Sequence, residues 1–229
     1  MATIGVNLQA VRQRIAQAAR ACGRDPGDVA LLAVSKTFGA DAVAAALACG
    51  QQAFGENYVQ EALDKIAAVP DSRLVWHYIG PIQSNKTRVI AENFDWVHSV
   101  DRAKIAERLA AARPAHLPPL QICIQVNIGG EDTKSGVAPA DTAALAHAVA
   151  ALPRLKLRGL MAIPPPSEDP AQQRRYFAAL RELKEQLARD GSALDTLSMG
   201  MSADLEAAIA EGATLVRVGT AIFGERHAH

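Results

Sequence analysis

Short apolar runs rich in β-branched residues alternate with longer Ala- and Leu-rich helical patterns along almost the whole chain. The runs fall at 29–37, 52–56, 74–80, 96–100, 120–128, 155–163, 194–200 and 214–223, and read as strands. Between them, helical patterns cover 41–49, 58–68, 85–93, 102–113, 139–152, 170–189 and 202–211. Such alternation builds βαβ units around a parallel sheet, and near-continuous apolar runs such as 120–126 suit strands buried on both faces. Eight strands in a row point to a closed (β/α)8 barrel of the TIM type, although 229 residues is shorter than the ~250 common for that fold. The same pattern permits an open doubly wound sheet.

No repeat, low-complexity tract or linker divides the chain, so a single domain over residues 1–229 is expected. Gly50 and Gly212 stand where helix ends want a left-handed residue, and Pro139 and Pro170 suit first helical turns. Arg12, Arg14, Arg20 and Arg24 precede the first acid, Asp25, a pattern shared with transit peptides. The plainer reading is an extra N-terminal helix, because Leu8, Val11, Ile15, Ala18 and Cys22 recur at three- and four-residue steps.

Charge narrows the function classes. Lys plus Arg and Asp plus Glu are both 24, so nothing draws the chain generally to nucleic acid or an anionic membrane. Any anion must be captured locally. No apolar run is long enough to span a bilayer. Cys22, Cys49 and Cys123 are odd in number and widely spaced, which argues against a metal cluster or disulfide framework and for a reducing, cytoplasmic setting.

Lys36 ends the first apolar run. Barrel chemistry sits at the C-terminal ends of strands, and a lysine desolvated there becomes a nucleophilic amine able to form imines. A surface lysine flanking a strand would look the same. Near the other end of the chain, Ser202 has the character of a helix N-cap, and Gly200 lets the backbone approach a ligand. Gly219 and Thr220 add a second glycine and hydroxyl one strand later; loops after strands 7 and 8 recurrently bind phosphate. Ordinary capping and turn chemistry is the alternative. Arg217 interrupts an apolar run, with strand alternation setting Leu215, Arg217 and Gly219 on one face. A buried guanidinium needs an acceptor, either a carboxylate such as Glu56 or a ligand atom such as a ring nitrogen. Closing the barrel would set the last strand beside the first and bring Arg217 near Lys36.

An amine for an aldehyde, a phosphate cradle and a cation for a ring nitrogen together describe a pyridoxal phosphate site. Ala33-Val-Ser-Lys36, Phe54-Gly-Glu-Asn-Tyr58, His77-Tyr-Ile-Gly-Pro-Ile-Gln-Ser-Asn-Lys86, Ser198-Met-Gly-Met-Ser-Ala-Asp204 and Val216-Arg-Val-Gly-Thr-Ala-Ile-Phe-Gly224 carry a resemblance. The chain closely resembles the YggS/PROSC family of pyridoxal-phosphate-binding homeostasis proteins, whose barrel is similar to the N-terminal domain of alanine racemase. The resemblance implies a Schiff base on Lys36 and phosphate contacts from Ser202, Gly219 and Thr220, with Ser198 and Gly200 supporting the loop. It implies Arg217 facing the pyridine nitrogen, Asn57, His77 and Met161 lining the rest of the pocket, and Lys134 near the mouth. For His77, between Trp76 and Tyr78, simple packing and hydrogen bonding is the competing reading.

Three functions use such a site: a reversible carrier or buffer of pyridoxal 5′-phosphate in intracellular homeostasis, an amino-acid racemase-type enzyme, and a Schiff-base aldolase. Racemisation needs acid/base groups on both faces of the α-carbon, and the racemase family draws one from an additional C-terminal domain. This sequence ends six residues after Phe223, and Tyr58, Tyr78 and Tyr176 have no evident claim to that role. An arginine at the ring nitrogen also weakens the electron sink. An aldolase's sugar offers Arg217 no ring nitrogen. The expectation is a monomeric, cytoplasmic, metal-free carrier without enzymatic turnover, with apo-enzymes that use pyridoxal phosphate as possible acceptors.

Overall fold

In the computed structural model, residues 2–131 and 135–225 are described. Eight strands, β1 (Ala30–Val34), β2 (Ala53–Glu56), β3 (Val75–Tyr78), β4 (Trp96–Val100), β5 (Leu120–Gln125), β6 (Leu155–Met161), β7 (Thr196–Ser198) and β8 (Leu215–Val218), run in chain order around a closed barrel. Every neighbouring pair is parallel, and β8 pairs back onto β1 with Leu32 opposite Arg217 and Ala33 opposite Val218. Closure removes the open-sheet alternative.

The helices α1 (Ala2–Ala21), α2 (Ala40–Ala48), α3 (Val59–Ala68), α4 (Thr87–Asn93), α5 (Ala103–Ala112), α6 (Thr142–Ala150), α7 (Pro170–Arg189), α8 (Leu205–Ala210) and α9 (Thr220–Phe223) complete the described chain. Alternation along each strand divides the core in two. Ala33, Phe54, Ile122, Ile124, Val216 and Val218 pack outward among the buried apolar faces of the helices. Leu32 points inward, where a Cβ added at Gly55 would meet its side chain and that of Ile79 at 3.1 Å.

Several boundaries depart from the sequence expectation, each for a local reason. The run at 29–37 is a strand only to Val34: the Ser35 N–H still donates to the Gly55 carbonyl of β2, then the Phe38 N–H closes a turn onto the Ser35 carbonyl and Thr37 takes φ 69°. The run at 214–223 is a strand only to Val218; after Gly219 the chain turns into α9, so Thr220 opens a helix. The helix expected from Ser202 begins at Leu205 with Asp204 as N-cap, which corrects the capping role given to Ser202. Ser202 lies in the turn before it. Pro139 starts a short 3-10 turn ahead of α6, whereas Pro170 does open α7. Gly50 and Gly212 have the positive φ expected of them.

The N-terminal stripe forms a helix as its spacing requires, but its buried residues are Leu8, Val11, Ile15 and Ala19. Cys22 is exposed beyond the helix end and Ala18 only half-buried, since a 3.6-residue period drifts off a fixed step. α1 is fastened to the segments that follow β7 and β8. Asn7 donates to the Ile222 carbonyl at 2.9 Å, and Arg14 donates to the Ser202 carbonyl at 2.8 Å while pairing with Glu206. An element outside the barrel thus braces two of its site loops.

Candidate functional site

At the C-terminal ends of the strands lies a cavity of about 270 Å³. Lys36 and Phe38 reach it from the end of β1, Asn57 from the end of β2, Ile79 from β3 and Ile163 from β6. Met201, Ser202 and Ala203 come from the β7 loop, and Arg217, Gly219 and Thr220 from β8. Six of the ten expected site residues therefore converge, namely Lys36, Asn57, Ser202, Arg217, Gly219 and Thr220. A larger hollow of about 730 Å³ along α1, lined by Arg12, Arg20 and Cys49, is an open surface groove away from the strand ends.

His77, Met161, Ser198 and Gly200 do not line the cavity. Ile79 and Ile163, two positions beyond His77 and Met161, take the lining places, so those two residues sit one layer deeper. Gly200 serves packing: at φ 94° it carries no side chain where a Cβ would stand 2.5 Å from that of Ala208, and its carbonyl accepts from the Arg217 N–H at 2.9 Å. Gly219 permits close approach to β1, since a Cβ there would meet the Val34 carbonyl at 3.0 Å.

Beneath the cavity runs a line of buried polar groups. Arg217 Nη1 donates to the Ser198 carbonyl at 2.7 Å and to Ser198 Oγ at 2.8 Å; Nη2 donates to the Ala162 carbonyl at 2.9 Å. Ser198 Oγ is 2.8 Å from His98 Nδ1, and His98 Nε2 is 2.9 Å from His77 Nδ1. Because β4 and β7 are not neighbours, the His98–Ser198 contact must cross the barrel interior. His77 also stacks on Trp96, ring centroids 5.3 Å apart. An arginine can only donate, so Ser198 Oγ accepts from Arg217 and has its one proton to give to His98 Nδ1. With that proton on His98 Nδ1, His98 and then His77 carry theirs on Nε2; with the imidazoles reversed, Ser198 Oγ accepts from both neighbours.

Burial holds both histidines neutral, with the His77 pKa lowered to about 3 and that of His98 well below its ordinary value, helped by His77 and Arg217. Burial also lowers the Arg217 pKa to about 10, which leaves the guanidinium charged at neutral pH. The carboxylate offered as its partner is engaged elsewhere: Glu56 takes Lys65 at 2.8 Å. Arg217 is satisfied by oxygens of Ser198 and Ala162 instead, so the ion pair with Glu56 is not formed.

A family model described as the N-terminal domain of alanine racemase matches residues 6–227. A pyridoxal phosphate homeostasis protein from Pseudomonas aeruginosa is 62% identical over 226 residues, covering 99% of this chain and 97% of that protein. The chain belongs to the pyridoxal phosphate homeostasis protein family. PipY of Synechococcus elongatus, in a structure described as having PLP bound, is 39% identical, with a TM-score of 0.84 over 96% of this chain and all of that one. Alanine racemase from Corynebacterium glutamicum, 18% identical with a TM-score of 0.70, shares the fold over 97% of this chain and 63% of its own.

Membership of the family bears out the resemblance read from the motifs. Those motifs supply both the lining residues at the strand ends and members of the polar line below them. What sequence reading missed is His98 and the apolar lining. Ile79 and Ile163 were reachable by adding one strand period to His77 and Met161. His98, beside Ser99 in the run 96–100, carried no signal of a partner across the barrel. Lys134 lies outside the described residues.

Proposed function

We propose that this protein, a single-domain monomer, binds pyridoxal 5′-phosphate reversibly in the cavity at the barrel mouth. There it acts as a carrier and buffer in intracellular pyridoxal phosphate homeostasis rather than as an enzyme. The observation that carries the reading is the meeting of Lys36, Arg217, Ser202 and Thr220 in one cavity of about 270 Å³. The names of the relatives and the PLP-bound PipY structure support it. The residues present also fit such a ligand: Asn57, a lining residue, has a buried Oδ1 without a hydrogen-bond partner.

When bound, the cofactor supplies an aldehyde whose carbon takes a lysine amine in a Schiff base, its oxygen leaving as water. Lys36 is the amine. Ser202 and Thr220 give hydroxyl donors to the phosphate, with Gly219 beside them in the cavity wall. Arg217, held by Ser198 and Ala162, presents a fixed positive charge to the pyridine nitrogen. Ser198, Gly200, His77 and Met161 act from below by shaping and orienting that floor. Apo-enzymes that use the same cofactor would be the acceptors, in a cytoplasm where Cys22, Cys49 and Cys123 remain thiols.

Borohydride reduction of the loaded protein followed by peptide mass spectrometry tests the assignment. The adduct should lie on Lys36, and Lys36→Ala should lose the visible absorption band of the imine. An adduct confined to Lys86 or Lys134 would sink it.

A further inference from the structure

The backbone on either side of Lys36 is held by charged side chains that the binding site itself does not use. Before it, the buried Ser35 donates its hydroxyl to Glu56 Oε1 at 2.5 Å, and its carbonyl accepts from Lys65 Nζ at 2.7 Å. After it, the Thr37 N–H donates to Glu61 Oε2 at 2.9 Å. Lys65 ties the two sides together, its ammonium 2.8 Å from Glu56 Oε1 and 3.8 Å from Glu61 Oε2.

Two features mark this as more than incidental packing. Lys65 is 4% exposed and Glu56 fully buried, a placement such residues accept only when paired. Thr37 holds φ 69°, a left-handed conformation that a β-branched residue keeps only where its surroundings enforce it. The bond to Glu61 is such an enforcement, and it acts on the residue directly after Lys36. The i,i+4 spacing of Glu61 and Lys65 on α3 brings both side chains to the same strand end.

We propose that Lys65, with Glu56 and Glu61, forms a positioning unit for Lys36, fixing the peptides on both sides so that the amine meets an aldehyde carbon in a set geometry. The inference rests on the reading of Lys36 as the Schiff-base lysine. Lys65 acts through the backbone and does not touch the ligand.

The test compares two ligands, pyridoxal 5′-phosphate and 4′-deoxypyridoxine 5′-phosphate, which keeps ring and phosphate but carries a methyl group in place of the aldehyde. The ratio of their dissociation constants isolates what Lys36 contributes. In Lys65→Met the preference for the aldehyde should fall by about tenfold while the deoxy ligand changes by less than about twofold. Lys65→Arg should restore part of the preference. Glu61→Gln, at a partly exposed side chain whose loss leaves the core intact, should move the ratio in the same direction, and it decides alone if Lys65→Met does not fold. Equal weakening of both ligands would reduce Lys65 to a structural residue, and an unchanged ratio in both variants would overturn the proposal. Lys36→Ala separates the two layers of inference. If the preference survives in Lys36→Ala, the Schiff-base reading fails; if it vanishes there but persists in Lys65→Met and Glu61→Gln, only the positioning unit fails.

Discussion

Single side chains at the cavity divide their work between ligand and fold, and the two kinds of contribution separate under mutation. Ser202 reaches the cavity from a turn and Thr220 from the first residue of α9, and neither is buried, so replacing both with alanine should cost little stability. The loss should fall on the anion: phosphorylated cofactor should weaken far more than unphosphorylated pyridoxal in equilibrium titrations. Equal losses would place the phosphate elsewhere. Arg217 behaves in the opposite way. Its guanidinium ties β8 to the Ser198 and Ala162 carbonyls inside the barrel, and Arg217→Met strands buried acceptors. Each such acceptor costs about 1–3 kcal/mol, so the ligand-free variant should lose about 2–3 kcal/mol, read as a fall of roughly 5–10 °C in melting temperature. An unchanged melting temperature would show that the interior contacts hold nothing together.

At the scale of elements, β3, β4, β7 and β8 share the line from His77 through His98 and Ser198 to Arg217. With Ser198 Oγ donating to His98, both histidines should show the Nε2–H tautomer in nitrogen-15 NMR of the imidazoles, and Nδ1–H at both would run the line the other way. The depressed pKa values also make stability depend on pH. The folded state keeps His77 neutral down to about 3, whereas the unfolded chain protonates it near the ordinary value of about 6.5. Between those limits the unfolded state binds more protons, so this contribution is complete above about pH 6.5 and is lost as the pH falls toward 3. His98, lowered in the same direction, adds to it. Each histidine contributes at most about 1.4 kcal/mol per pH unit. Denaturant unfolding of His98→Gln between pH 5 and 7 should therefore show a shallower slope than the parent. Identical slopes would mean that the histidines do not stay neutral on folding.

The whole molecule has one closed barrel, a site at its C-terminal rim and an N-terminal helix bracing the loops of that site. Among the described residues lining the cavity, Lys36 and Arg217 are the ionisable ones, and Arg217 is already committed to oxygens below. Proton transfer on two faces of an α-carbon needs a second group opposite the lysine, and none of these lining residues supplies it. Ile163 and Met201, at the rim, stay 40% and 37% exposed, so the mouth opens to solvent rather than excluding it. The loaded protein should therefore hand its cofactor to an apo-enzyme, measured as activity recovered by that enzyme. In deuterated water it should show no sustained α-proton exchange with L-alanine, L-serine or other common amino acids. Multiple turnovers that vanish in Lys36→Ala would replace the carrier with an enzyme.

What the sequence determined by itself is everything periodic. The alternation of two kinds of hydrophobic pattern set the order of strands and helices, and Lys36 fell just beyond a strand end where the first apolar run breaks, whereas Gly219 and Thr220 lay inside the expected run 214–223 and only the structure ended that strand at Val218. Period-two alternation grouped Arg217 with Leu215 and Gly219 on one face, but only closure of the barrel turned that face inward. Tertiary structure decided the rest, because contacts across a barrel join positions with no fixed spacing. His98 meets Ser198 a hundred residues away only once eight strands have closed. The partner of Arg217 could not be chosen from sequence either: Glu56 had the right charge, but Lys65, nine residues along the chain, turns one helix face toward it and takes it first. Charge type sets what a buried group requires; which partner satisfies it depends on the distances that closure imposes.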